Sequence, residues 1–256
     1  LGYLSYNKSA TIVEQEVTAG NQMILQQYQD GIESLLKTVD TLTTQTIGSP
    51  ANTNADSVET VLNLPYSYTY VKEFESLKDK LAKIQVYEMG ISDVHLISFR
   101  QDWIVEGGVV YPMQERDSND SYDKYLHQLK QKLIGYKDQM SSQWKLVKNG
   151  ESEYLLKLIK QIPLLSPEPY GVLTVNIPVT EISKRLSDAD QLGTVMILNA
   201  DGIALAHSDI NQVGRSVSDL SFYQKLINQD KKEGLFEVNV KDEKYAVVFN
   251  HSSYND

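Results

Sequence analysis

The stretch VMILNADGIALAHSDINQVGRSVSD, residues 195–219, decides the fold. It opens with the run VMILN, breaks at Ala200-Asp201-Gly202, and resumes as IALAHS. That order predicts a strand, a tight turn and a second strand. His207-Ser208-Asp209 supplies the residue types of a hydrolase triad, but successive strand residues point to opposite faces and do not converge on one point. The run therefore reads as the end of a hairpin and not as a catalytic centre.

Downstream of that hairpin, SFYQKLINQ predicts a short helix, and LFEVNV and KYAVVFN pair across Lys241-Asp242-Glu243. Upstream, the same scheme appears in longer form. Val71, Phe74, Leu77, Leu81 and Ile84 line one face of a helix from Tyr70 to about Glu88. VHLISF and WIVEGGVVY follow as strand runs around the turn Arg100-Gln101-Asp102, with Gly107-Gly108 read as a bulge inside the second run. Tyr125, Leu126, Leu129, Leu133 and Tyr136 place another helix over Tyr122 to Met140. SQWKLV, EYLLKLIKQIPL and YGVLTVNIPV then predict three further strands. The second module lacks a counterpart of YGVLTVNIPV. An unpaired sheet edge is a liability, so the natural protein is expected to continue past Asp256.

Ahead of both modules, Val17, Ile24, Tyr28, Ile32, Leu35, Val39 and Leu42 recur at spacings of three, four and seven. This is helical periodicity far longer than an ordinary globular helix, and it predicts a spine with one buried stripe. The expected organisation is a spine helix over 1–47, a first α/β module over 48–180, a linking helix over 181–192 and a second module over 193–256.

The 256 residues carry 24 Lys and Arg against 34 Asp and Glu, a net charge of -10, with no basic run to follow a phosphate backbone. Nucleic acid is therefore not an expected partner of this chain. No cysteine is present, which removes disulfides, thiolate metal sites and a cysteine nucleophile. His95, His127, His207 and His251 show no metal-ligand spacing, and no phosphate-binding glycine loop appears, so no metal or cofactor is expected. No run approaches the ~18 apolar residues of a membrane span.

The residues 195–219, with the segment GVLTVNIPVTEISKRL, resemble the double Cache sensor domain, in which two tandem PAS-like modules hang on one long N-terminal helix. The resemblance covers nearly the whole chain. It implies an α+β fold with antiparallel sheets, located outside a bacterial cell membrane between two spanning helices that lie beyond this chain. It further implies a non-enzymatic ligand-sensing role in a signalling receptor. The tyrosine-rich, cysteine-free composition is similar to the sensor regions of Gram-positive histidine kinases; chemoreceptors, membrane-bound transcriptional regulators and non-signalling solute-binding modules are the alternatives. A homodimer through the N-terminal helix is expected.

For such a module the expected pocket is the concave sheet face of the membrane-distal unit. Its cover, Tyr111 to Tyr125, supplies Tyr111, Arg116, Tyr122 and Tyr125, and the sheet supplies Arg100, Trp103, Trp144, Tyr154 and Asn176. Aromatic rings give flat apolar contact, and an arginine can clamp a carboxylate. Cache domains that recognise amino acids carry an Arg-x-Trp-Tyr element and an aspartate on the closing strand. Here Arg116 has no Trp-Tyr after it, and Asn176 stands where the aspartate is expected. A sugar, oligosaccharide or organic acid is accordingly expected over an amino acid.

Overall fold

The computed structural model describes residues 2–48, 57–85, 90–113, 143–149, 153–164, 168–187, 194–240 and 243–252, with the single positions 128, 131, 134 and 135. The fold is mixed α+β with a long N-terminal helix and antiparallel sheets, as expected. The chain forms two compact units, one made of Leu35–Pro178 and the other of Leu1–Ser34 with Val179–Asp256. Helix α1, Gly2–Gly48, contributes residues to both. Its buried positions Ile32, Val39, Thr43 and Ile47 recur at intervals of seven and four; Ile32 and Val39 belong to the expected apolar stripe, Thr43 and Ile47 extend it, and Tyr28, Leu35 and Leu42 are half-buried.

In the unit Leu35–Pro178, six strands form one antiparallel sheet. They are β1 Asp93–Ser98, β2 Trp103–Glu106, β3 Val109–Pro112, β4 Gln143–Asn149, β5 Glu153–Ile162 and β6 Gly171–Pro178. Their spatial order is β3-β2-β1-β6-β5-β4. The run WIVEGGVVY is two strands and not one bulged strand: Glu106 pairs with Val109, and Gly107 and Gly108 take φ of 56° and 74°. Two consecutive positive φ values are what a two-residue hairpin demands, and glycine adopts them without steric cost. The helix expected over Tyr122 to Met140 falls largely outside the described residues, of which Gln128, Gln131 and Ile134 are helical.

Antiparallel partners share a face, so the register sorts the side chains of this sheet. Leu96, Trp103, Leu158, Leu173 and Val175 lie on one face and are buried. The helices α2, Val58–Val61, and α3, Val71–Ile84, supply its cover. Phe74 of α3 meets the Trp103 ring edge-on at 5.2 Å, and the Trp103 indole N–H donates to the Leu64 carbonyl at 3.0 Å. Ser98 Oγ donates to the Leu62 carbonyl at 2.7 Å. Opposite Ser98 stands Gly171, where a Cβ would lie 2.8 Å from Leu62 Cδ1 and 2.9 Å from the Ile97 carbonyl oxygen. Only glycine permits so close an approach.

In the other unit, helix α4, Val179–Ser187, lies beside the hairpin of β7, Met196–Leu198, and β8, Ala204–His207. The Asn199 side-chain oxygen accepts from the backbone N–H of Asp201 and of Ile203 and so fixes the turn between them. A second hairpin, β9 Glu233–Val240 with β10 Glu243–Asn250, packs Phe236, Val238 and Phe249 against Phe222 and Leu226 of helix α5, Ser221–Leu226. Among the described residues the two hairpins form separate two-stranded sheets.

Candidate functional site

The face of the six-stranded sheet opposite Trp103 carries a different set of residues. Its rows run across three strands: Asp93, Asn176 and Lys157 in one, then His95, Thr174 and Ile159, then Ile97, Val172 and Gln161. His95, Thr174, Asn176, Lys157 and Gln161 are all buried. Beside this polar end is an apolar one, where Ile97, Ile104, Met113, Ile159 and Val172 cluster with Tyr111 and Phe99 packed on them. One sheet face thus offers hydrogen-bonding groups at one end and apolar contact at the other, the division of labour found in small-molecule sites.

Among the described residues, the buried side-chain atoms without a hydrogen-bond partner are His95 Nδ1, Thr174 Oγ1, Asn176 Oδ1 and Asn250 Oδ1. Three of the four fall on this polar end. Leaving such a group unsatisfied costs about 1–3 kcal/mol, so a cluster of three calls for an explanation other than packing. Burial holds the His95 pKa below its ordinary value of 6.5, and the neighbouring Lys157 charge pushes it the same way, while Asp93 and Glu106 pull upward. His95 is therefore a neutral imidazole at neutral pH.

The nine residues expected to bind ligand separate into groups. Asn176 and Tyr111 lie on this face, Asn176 at its polar end and Tyr111 against its apolar cluster. Trp103, Trp144 and Tyr154 lie on the opposite face: Trp103 pairs with Ser98, Trp144 with Leu158 and Tyr154 with Lys148. Trp103 is fully buried there under α3. Arg100 is exposed in the turn after β1, donates to Asn63 Oδ1 at 2.8 Å and holds its guanidinium 4.4 Å from the centre of the Tyr170 ring. Arg116, Tyr122 and Tyr125 lie outside the described residues.

The sequence reading passed over Lys157, Gln161 and Thr174 and weighed His95 only as a metal ligand. Part of the signal was available: Thr174 and Asn176 alternate with apolar residues in LTVNIP, while Lys157 and Gln161 in LLKLIKQI share a face with Ile159 between them. A polar residue at every second position of a strand buried on both sides marks a polar face that is not solvated.

His207, Ser208 and Asp209 are held by local bonds. The Asp209 N–H donates to His207 Nδ1 at 2.8 Å, the Val195 N–H donates to Ser208 Oγ at 3.3 Å, and Asp209 Oδ1 accepts from the Asn211 N–H at 3.0 Å. Those bonds from Asn211, with one from the Gln212 side chain, hold the Asp209 pKa below the usual carboxylate range. The run closes β8 and caps the short 3-10 turn Ile210–Gln212. Among the described residues no group of three or more His, Cys, Asp or Glu is placed to hold a metal ion, and no helix is long and apolar enough to cross a membrane.

No family model matches the chain. A protein of Bacillus subtilis (strain 168), the uncharacterized HTH-type transcriptional regulator YtdP, is 25% identical over 266 residues. The match takes in 100% of this chain and 32% of that protein, so the chain spans about a third of its relative. Among solved structures, the periplasmic sensory domain of the Campylobacter jejuni chemoreceptor Tlp1 superposes with a TM-score of 0.56 at 12% identity, over 95% of this chain and 97% of that one. The sensory domain of the C. jejuni chemoreceptor Tlp3 (CcmL) with isoleucine bound gives 0.53 at 14% identity, over 92% and 88%. The fold is thus the one these sensory domains use, in agreement with the Cache resemblance. The expectation of a sugar or organic acid in preference to an amino acid is overturned by the same structures, since Tlp3 of this fold is seen with isoleucine and with L-valine. An asparagine at position 176 is not a sufficient ground for excluding an amino acid, because the register puts the carboxylate of Asp93 directly across from it.

Proposed function

We propose that this chain is the extracytoplasmic sensing region of a membrane-bound bacterial receptor and takes a small amino acid on the polar face of its six-stranded sheet. It acts by binding and not by catalysis. The observation that carries this reading is the group His95, Thr174 and Asn176, buried on one sheet face with unpartnered polar atoms. Natural proteins retain such groups where a ligand satisfies them. The adjoining apolar cluster around Ile104 and Tyr111 suits an aliphatic side chain. The fold shared with the Tlp1 and Tlp3 sensory domains supports the sensing role and the location outside the membrane.

For the output, we favour a DNA-binding regulator over a histidine kinase or a chemoreceptor. The support is the B. subtilis relative, whose name is that of an HTH-type transcriptional regulator and which matches this chain end to end. A thermal-shift series with the twenty amino acids, with glucose, maltose and citrate as comparators, tests the ligand class. A ligand bound only by the native state raises the melting temperature, by an amount that grows with its concentration. A response to sugars or citrate alone, with no amino acid effective, would remove the proposal.

A further inference from the structure

Resting on that reading, the geometry points to Asp93 as the residue that receives the ligand's ammonium group, with Asn176 Oδ1 and Thr174 Oγ1 completing its shell. Asp93 pairs directly with Asn176, so their side chains leave the sheet on the same side. Thr174 is two residues from Asn176 on β6 and therefore on that same face. Asn176 and Thr174 are 3% and 0% exposed, and the Oδ1 of one and Oγ1 of the other lack partners. An amide oxygen, a hydroxyl oxygen and a carboxylate all accept hydrogen bonds, and an alkylammonium has three N–H groups to donate. The buried pair alone is neutral; Asp93 supplies the charge that makes the group selective for a cation.

The charges of the row fix the direction of the ligand. Asp93 on β1 stands at one end, Asn176 on β6 and Lys157 on β5 follow, and Lys145 on β4, the partner of Lys157, closes the other. The row therefore has a negative and a positive end, and a zwitterion is aligned in it with its ammonium toward β1. His95 adds no competing charge, being neutral under the combined effect of burial and Lys157. Asp93 is exposed, and Ser92 Oγ donates to its Oδ2 at 2.8 Å, so Asp93→Asn keeps shape and orientation while removing the charge.

The test is calorimetry on the 256-residue chain with L-isoleucine and L-valine and with their deaminated counterparts, 3-methylpentanoate and 3-methylbutanoate. The wild type is expected to prefer each amino acid over its deaminated form. Asp93→Asn is expected to shrink that preference about tenfold or more while leaving the affinity for the deaminated acids unchanged. Asp93→Glu should restore part of the preference. An equal loss for both members of each pair, or no loss for either, would overturn the role of Asp93 and leave the amino-acid reading standing. A wild type that binds none of the four would overturn the role of Asp93, and the amino-acid reading then stands or falls on the series of twenty amino acids.

Discussion

Asp40 on α1 and Lys160 on β5 meet at 3.0 Å, with the Lys160 ammonium 1% exposed and also donating to the Asp40 carbonyl at 2.8 Å and to Thr44 Oγ1. This is a charged pair inside the unit Leu35–Pro178 that fixes one turn of α1 against the sheet. Burial depresses the Lys160 pKa more strongly than the Asp40 carboxylate raises it, so desolvation is the larger effect. Asp40, one third exposed, keeps access to water.

The two partners are therefore not equivalent. Asp40→Ala strands a buried ammonium and is expected to destabilise the protein by about 3 kcal/mol. Lys160→Met replaces that charge with apolar volume and leaves Asp40 hydrated, so its stability should fall within about 1 kcal/mol of the wild type. Urea denaturation of both variants measures the contrast, and equal losses would contradict it.

His95 and His207 make stability fall on mild acidification. Burial lowers both pKa values, with Lys157 acting the same way on His95 and Asp209 opposing it at His207. Below the ordinary value of 6.5 the unfolded chain takes up protons that the folded chain refuses. The unfolded state is then the one stabilised, by at most about 1.4 kcal/mol per pH unit for each histidine. The loss begins at pH 6.5 and ends where the folded histidines themselves titrate. Asp209 acts lower: its folded pKa is depressed below 3.8, so its contribution is present above that value and disappears as pH falls through the folded pKa. Melting curves at pH 7.5, 6.5 and 5.5 should show the histidine effect, and His95→Gln should flatten the slope.

Much of the fold was legible because periodicity survives where burial is one-sided. The buried positions Ile32 and Val39 of α1 and the turn at Ala200-Asp201-Gly202 follow from spacing and turn chemistry alone. The split of WIVEGGVVY escaped the sequence reading: two glycines inside an apolar run read as a bulge, whereas their positive φ values turn the run into a hairpin. The site was less legible. Aromatic residues drew the sequence reading to Trp103, Trp144 and Tyr154, which share the face away from Asn176. Face is set by pairing register, and a one-residue shift reverses it, so strand content without register cannot assign it.

Trp103 provides a check on that assignment. Trp103→Phe removes the donor to the Leu64 carbonyl and should cost about 1–3 kcal/mol, and Trp103→Ala about 3–5 kcal/mol. Because the ring packs on Phe74 and away from Asn176, affinity for an amino acid measured well below the melting temperature should not change with Trp103→Phe. A selective loss of affinity would return Trp103 to the site.

Thr174→Val tests whether the polar face is kept for binding at the expense of stability. The Thr174 side chain is fully buried and its hydroxyl has no partner, so a methyl in its place removes an unsatisfied group with little change of shape. The ligand-free protein is expected to gain about 1 kcal/mol, seen as a rise in melting temperature of about 2–4 °C. The same change deprives a bound ammonium of one acceptor, so the further rise on adding L-isoleucine or L-valine should shrink. Stability and ligand response then move in opposite directions, whereas a hydroxyl with a purely structural role predicts a loss of stability with an unaltered response. Asn176→Leu is the companion variant, since Asn176 Oδ1 is likewise buried and unpartnered. Combining the two should nearly abolish the ligand-induced shift in a protein that unfolds no more readily than the wild type.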